Sequence, residues 1–119
     1  MKLDTAKSGL EAVFREYEIQ ALNYLFSVKK PTGSGKVWTW INEGSKWGQK
    51  PGNSISRASV ILFLNRLVDE DLLAWKDATG KGGHHRLYVM ELSRPEFAKK
   101  VIDKFLNTLK TIKDQEKVE

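Results

Sequence analysis

Residues 53–73 decide the fold and read NSISRASVILFLNRLVDEDLL. Apolar residues recur in this stretch at spacings of three and four, the period that places them along one side of an α-helix. The stripe consists of Val60, Phe63, Leu64, Leu67 and Val68. Arg57, Ala58 and Ser59 fall largely outside it. The sequence therefore predicts a helix that is buried along one side and has a small, polar and basic first turn.

The start of this helix carries a capping signal. Ser54 or Ser56 can place a hydroxyl on the free backbone N–H groups of the first turn. The short side chains of Ala58 and Ser59 would let that turn approach another surface closely. We therefore expect a helix over about residues 55–70 that is suited to a DNA major groove.

The central run continues into AWKD, a glycine-rich TGKGG and then RLYVM. Over residues 55–92 the pattern resembles the recognition helix and wing of winged helix-turn-helix transcription regulators, with a likeness to the penicillinase-repressor, MarR and PadR families. The resemblance implies a mainly α fold with a small β-hairpin wing and with N- and C-terminal flanking helices. Two residues depart from the family pattern. Leu62 stands where a polar or basic base-reading residue is common, and Asp71 stands where glycine is usual.

Length and composition limit the class of protein. A chain of 119 residues is sufficient for one core, so we take residues 1–119 as a single winged-helix domain. No apolar run approaches the ~18 residues of a membrane span, and no apolar segment of a signal peptide follows the first residues. Cysteine is absent, which excludes disulfides and thiolate metal sites. We expect a cytoplasmic protein without a membrane partner.

The net charge of +5 is concentrated in the centre of the chain. Residues 29–66 contain seven basic residues against a single acid, Glu43. The seven are Lys29, Lys30, Lys36, Lys46, Lys50, Arg57 and Arg66. Such a block is typical of a phosphate-binding surface, although a solvated basic face without a partner is the alternative. Because the block coincides with a helix-turn-helix pattern, the sequence favours nucleic acid.

Two helical regions are predicted before the central helix. Apolar residues between positions 10 and 28 predict one long helix or two helices that break near Arg15. Residues 36–43 predict the short first helix of the helix-turn-helix pair, which Gly44 would end in the left-handed conformation. Proline and glycine predict a loop over residues 29–35.

The connection over residues 44–53 is longer than the usual tight turn. Trp47 lies within it, and both Trp38 and Trp47 are predicted to lie off the core face. An exposed tryptophan can bind a base, a sugar or another protein, but more often it covers the edge of a core. We expect the second role for at least one of the two.

Two strands are predicted after the central helix, over residues 73–77 and 84–92. They would form the wing, about residues 76–86, with Lys81 at its glycine-rich tip. Lys81, His84 and Arg86 are expected to contact the DNA backbone or the minor groove, as wings do in the families that the sequence resembles. Adjacent residues of a strand point to opposite faces, so His84 and His85 are not expected to bind a metal ion.

A last helix is predicted over about residues 94–115, with Ser93 as its cap. Apolar residues along it are spaced four, three, four and three, close to a coiled-coil repeat. These are Ala98, Ile102, Phe105, Leu109 and Ile112. The seam could pack on the first helix of the same chain or could join two copies in a homodimer, and related regulators dimerise through terminal helices.

The sequence thus predicts a sequence-specific regulator of transcription that binds double-stranded DNA as a homodimer. The expected DNA-binding residues are Ser54, Ser56, Arg57, Ala58, Ser59, Lys36, Lys46, Lys50, Lys81, His84 and Arg86. The alternative is a protein–protein interaction module without specific DNA binding, in which an exposed Leu62 would contact the partner. No paired carboxylates, nucleophile–base set or metal cluster occur at workable spacing, so no enzyme, metal or cofactor is expected. The residues identify no small-molecule effector.

Overall fold

The computed structural model describes residues 9–80 and 83–116, and describes only the backbone of residues 79, 80, 83, 84, 115 and 116. A 3₁₀ turn (Gly9–Ala12) precedes α1 (Glu16–Val28), β1 (Thr32–Gly33) and α2 (Ser34–Thr39), which continues into a π-helical turn (Trp40–Gly44). Then follow α3 (Arg57–Asp69), β2 (Ala74–Gly80), β3 (Gly83–Val89) and α4 (Arg94–Glu116). This arrangement is a mainly helical winged helix-turn-helix with a long C-terminal helix, which confirms the predicted fold.

In the described part of the chain, the wing is a three-stranded antiparallel sheet with the strand order β1-β3-β2. Ala74 pairs with Val89, and Thr32 pairs with Tyr88. The prediction of a loop over residues 29–35 is therefore wrong at Thr32–Gly33. A two-residue strand is too short to show a period, and the flanking proline and glycine dominate the sequence signal. Helix α2 also begins two residues earlier than expected.

The core is built on the predicted stripe of α3. Val60, Phe63, Leu64 and Leu67 are each at most 1% exposed, and Val68 packs against them half-buried. Buried residues from other helices, from β3 and from the connecting segments surround the stripe: Leu22, Leu25, Val37, Ile41, Leu72, Tyr88, Met90 and Phe97. Burial of each such side chain contributes roughly 1.5–3 kcal/mol to stability, so the stripe fixes which side of α3 faces inward.

The N-terminal helical region breaks at Arg15, as one of the two alternatives predicted. The Arg15 backbone N–H donates to Oε1 of Glu18 over 2.8 Å, and this bond caps α1. The other carboxylate oxygen of Glu18 accepts from Nη2 of Arg66 over 2.6 Å, although Glu18 is only 4% exposed. The pair joins the start of α1 to α3. Arg66 was counted in the basic block, but its charge is balanced inside the chain.

The turn after α3 adopts the left-handed conformation at Asp71, whose φ is 61°. Aspartate adopts such a φ less readily than glycine, which has no Cβ. Nζ of Lys100 donates to the Asp71 carbonyl over 2.9 Å and to its carboxylate over 3.0 Å. The turn is thereby tied to α4.

Gly44 ends the second helical segment, but not in the predicted left-handed conformation. Gly52 has the positive φ in this connection, at 85°. A Cβ at Gly44 would lie 2.4 Å from the ring of Trp40, so glycine is required there for close packing. The expectation for Gly44 was wrong because the helix closes through a π-helical turn, in which Ser45 N–H donates to the Trp40 carbonyl.

Helix α4 begins with the predicted cap. The Ser93 N–H donates to Oε1 of Glu96, and this bond lowers the pKa of the Glu96 carboxyl. The Glu96 N–H donates in return to the Ser93 hydroxyl. Phe97 and Val101 are buried in the core, whereas three residues of the predicted seam and the neighbouring Leu106 are exposed. The exposed residues are Ile102, Leu106, Leu109 and Ile112. Ala98 and Phe105 are half-buried. In the part of the chain that is described, no helix is long and apolar enough to cross a membrane.

Replacement of Glu18 by alanine should lower the free energy of unfolding by about 2 kcal/mol, because it removes a buried acceptor from two hydrogen bonds. Urea unfolding followed by circular dichroism measures the loss. Glu16→Ala is the matched control, since Glu16 is exposed in the same turn of α1, and it should change stability by less than about 0.5 kcal/mol. Equal stability of the two variants would contradict the role given to Glu18.

Candidate nucleic-acid interface

The side of α3 opposite the buried stripe forms an exposed surface, which we call the outer face of α3. It consists of Ala58, Ile61, Leu62, Asn65 and Asp69. Ala58, Leu62 and Asp69 are exposed, whereas Ile61 and Asn65 are half-buried. Because the four buried residues of the stripe fix the rotation of the helix about its axis, the orientation of the outer face follows from the core.

Ser56, one of the two predicted caps, is the residue that caps α3. Its hydroxyl accepts from the Ser59 N–H over 3.1 Å and donates to the Ser59 hydroxyl over 2.9 Å. Ser54 lies exposed in the preceding segment. Ser56 and Ser59, which were both expected to face DNA, are thus hydrogen-bonded to each other at the start of the helix. Arg57 is exposed beside them.

The residue before the cap is held by three hydrogen bonds from the preceding helical segment. Asn42 donates from Nδ2 to the Ile55 carbonyl over 3.0 Å and accepts from the Ile55 N–H over 2.8 Å. Nε1 of Trp38 donates to the same carbonyl over 2.8 Å. These bonds fix where α3 begins relative to α2. These bonds were not predicted from the sequence, because a polar side chain that bonds to backbone 13 residues away leaves no local pattern.

The long connection before α3 is ordered by its own hydrogen bonds. The Ser45 side chain is buried, donates to the Ile41 carbonyl over 2.7 Å and accepts from the Gly48 N–H over 3.0 Å. Nδ2 of Asn53 donates to the Trp47 carbonyl over 2.9 Å. Trp47 is half-buried and packs 6.1 Å from the ring of Tyr17. It therefore covers the edge of the core, as expected for at least one of the two tryptophans.

The predicted basic residues lie in different surroundings. Lys36, Lys46, Lys50 and Arg57 are all exposed. The guanidinium of Arg57 lies over Gly35, since a Cβ built on that glycine would be 3.4 Å from Nη2. Lys46 and Lys50 line a groove that also contains Glu11 and Glu16, and these carboxylates reduce the positive potential there.

The wing is joined to the middle of α3 by Asn65. Its Oδ1 accepts from the Tyr88 hydroxyl over 2.6 Å and from Nη1 of Arg86 over 3.2 Å. Burial raises the pKa of Tyr88, so the phenol keeps its proton for this bond at neutral pH. The Arg86 guanidinium also stacks over Trp75, with 4.2 Å between Cζ and the ring centroid. Arg86 thus helps to position the wing strand.

The structure does not describe two of the wing side chains that were expected to contact DNA. Lys81 lies outside the described residues, and only the backbone of His84 is described. Among the residues whose side chains are described, no group of three or more His, Cys, Asp or Glu could hold a metal ion. The interface described here is therefore made of the outer face of α3, the start of that helix and the adjoining basic residues.

No protein-family model matches the sequence, and no curated protein matches it. Among solved structures, the chain is similar to a PadR family transcription regulator from hypervirulent Clostridium difficile R20291, with 15% identity, a TM-score of 0.49, and coverage of 83% of this chain and 96% of that one. It is also similar to a protein of Thermoplasma acidophilum described as a candidate transcriptional regulator, with 18% identity, a TM-score of 0.48, and coverage of 80% and 98%.

Replacement of Asn42 by alanine should release the Ile55 amide, because its acceptor Oδ1 is lost while the Trp38 bond to the carbonyl remains. We expect faster hydrogen exchange at the Ile55 N–H and a loss of about 1–2 kcal/mol in stability. Amide exchange followed by NMR gives the readout at this single residue. Asn107→Ala, at an exposed position of α4, is the control and should leave Ile55 exchange unchanged. Unchanged exchange in the Asn42 variant would contradict the proposed support of α3.

Proposed function

We propose that this protein is a sequence-specific regulator of transcription that binds double-stranded DNA through α3. The observation that carries the proposal is the outer face of α3, which is exposed, begins with short side chains and is held rigidly from both sides. Asn42 and Trp38 hold the segment before the cap, and Asn65 joins the helix to the wing. Rigid support is what a base-reading helix needs, because a contact displaced by one ångström is lost.

The dimensions of the helix suit the major groove. An α-helix with side chains is about 10–12 Å across, and the major groove of B-form DNA is about 12 Å wide. The first turn of α3 carries Ala58 at its exposed side and uses Ser56 and Ser59 for capping. These short side chains would allow the backbone of this turn to come close to the base edges.

We assign non-specific affinity to the basic residues around this turn. These are Lys36, which is exposed on α2, and Lys46 and Lys50, which are exposed in the connection before α3. From the wing the proposal adds Lys81, His84 and Arg86. Lysine and arginine that contact phosphates attract any DNA sequence, and this attraction weakens as the salt concentration rises.

Selection of bound sequences from random duplex DNA tests the function directly. The proposal predicts one enriched motif whose affinity exceeds that of random duplex at every salt concentration. A two-fold related motif would also support binding as a dimer, since half-sites repeat with the symmetry of the protein. The proposal fails if no sequence is enriched and all duplexes bind alike.

We further propose a homodimer that is formed through α4. The apolar side chains of its second half are about half exposed, from 49% at Ile112 to 58% at Leu109, on a helix that is otherwise charged. A row of exposed apolar residues of this length is typical of an interface. The proposed interface comprises Ala98, Ile102, Phe105, Leu109 and Ile112.

The intact chain should therefore sediment as a dimer at micromolar concentration, and Leu109→Lys should sediment as a monomer, because a charge in the seam would be buried without a partner. Analytical ultracentrifugation measures both. Lys110→Glu changes an exposed charge one position away and should leave the dimer intact. A monomeric intact chain would exclude this interface.

Arg57 is proposed as a principal base-reading residue. It is exposed in the first turn of α3, and a guanidinium there could turn from Gly35 toward O6 and N7 of a guanine. Arg57→Ala should cost about 1–3 kcal/mol on the selected site and relax discrimination at one guanine in each half-site, with thermal stability almost unchanged. Competition binding to sites substituted at each base pair measures this. Lys36→Ala is the control and should weaken binding to all sequences equally.

An equal loss of affinity for every sequence in the Arg57 variant would instead make Arg57 a phosphate contact.

The second candidate function is a protein–protein interaction module, which the exposure of Leu62 favours. That function predicts no enriched DNA motif and no effect of Arg57→Ala on DNA of any sequence.

A further inference from the structure

Leu62 is 71% exposed, more than any other large apolar side chain whose burial is described. It lies in the middle of the outer face of α3, with Ala58 one turn before it and Asn65 one turn after it. The shallow groove beside it is lined by Arg15, Tyr17, Glu18, Ser59, Phe63 and Arg66. Phe63 is buried and Tyr17 is half-buried, so Leu62 is the one large apolar side chain of the outer face that is mostly exposed, and it suits a small apolar partner group.

Asn65 presents its amide in a fixed orientation. Arginine can only donate hydrogen bonds, so the atom that faces Arg86 must be the acceptor Oδ1. The Tyr88 hydroxyl occupies the second lone pair of the same oxygen over 2.6 Å. The donor group Nδ2 is thereby turned away from these two partners. Asn65 therefore cannot make the two-bond contact with adenine, which needs both Oδ1 and Nδ2, but it can still donate.

Thymine presents an acceptor, O4, next to its 5-methyl group in the major groove. Guanine presents acceptors without a methyl group, and cytosine presents a donor. Residues three apart on a helix have Cβ atoms about 5–6 Å apart on one face, so Leu62 and Asn65 place an apolar contact beside a donor. This combination is complementary to the thymine edge.

We infer that Leu62 and Asn65 together recognise a thymine in each half-site, Leu62 through the 5-methyl group and Nδ2 of Asn65 through O4. The inference rests on the proposed DNA-binding function and names the base that the middle of α3 reads. Arg57 lies more than one turn earlier in the same helix, so the contact is separate from the guanine proposed for that residue.

Modified bases test the two contacts separately. Deoxyuridine in place of thymine removes the methyl group and keeps O4, whereas a 5-methylcytosine–guanine pair keeps the methyl group and replaces O4 by a donor. On the site enriched from random duplex, deoxyuridine at one thymine per half-site should weaken binding about fourfold, the effect of one buried methyl group. The 5-methylcytosine pair at the same position should weaken it by at least about fivefold, because two donors would face each other.

Two variants identify the residues. Leu62→Ala should bind thymine and deoxyuridine sites equally and still discriminate against 5-methylcytosine. Asn65→Asp keeps an acceptor for Tyr88 and Arg86 but removes the donor, so it should lose or reverse the preference for thymine over 5-methylcytosine. Asn107→Ala, at an exposed position of α4 outside the outer face, should retain both preferences. For each variant, the ratio of its affinities for two sites is compared, because a substitution that changes the net charge alters the affinity for DNA of every sequence.

The outcomes separate this inference from the proposed function. An enriched site at which deoxyuridine has no effect at any position would overturn the inference and leave DNA binding intact. If the Leu62→Ala variant binds every duplex as the intact chain does, the inference is also overturned, and Leu62 is then assigned to a protein contact. If no duplex is preferred over random DNA, the proposed function fails, and the inference fails with it.

Discussion

Burial of one side of α3 is the constraint on which the rest of the structure depends. Val60, Phe63, Leu64 and Leu67 are almost completely buried, and helices α1 and α2 and strand β3 contribute the residues around them. Since a helix has only one rotation about its axis that buries these four side chains, the opposite side must face solvent. The candidate interface is therefore a consequence of the core, and its rigidity derives from the same contacts.

The features that were predicted correctly are those with a local signature. The stripe of α3 and the Ser93 cap of α4 each follow from spacing within a few residues, whereas the break at Arg15 was one of two alternatives that the apolar pattern left open. The features that were missed join distant residues. Glu18 and Arg66 are 48 positions apart, and β1 acquires its strand conformation from its pairing with β3. Neither contact has a period in the sequence, because each depends on elements that meet only after folding.

The sequence predicts which helix carries the candidate site, but it does not predict which of the basic residues around the site are paired. A count of charges over residues 29–66 treats every basic residue as free, whereas Arg66 is paired with the buried carboxylate of Glu18. In the wing, Arg86 is stacked on Trp75 and bonded to Asn65. At the start of α3 the exposed positive charge is that of Arg57, whereas Lys36 lines a groove that also contains Glu43. Asn65, which no charge count could identify, joins the wing to α3.

The central claim is that the outer face of α3 enters a DNA major groove. NMR titration of the intact protein with duplex DNA at two salt concentrations tests it most directly, since every backbone amide reports separately. The account predicts the largest shifts at Ala58 and Leu62, with further shifts at Lys36 and little change at Thr108 of α4. Large shifts confined to other surfaces, with none along α3, would contradict the account.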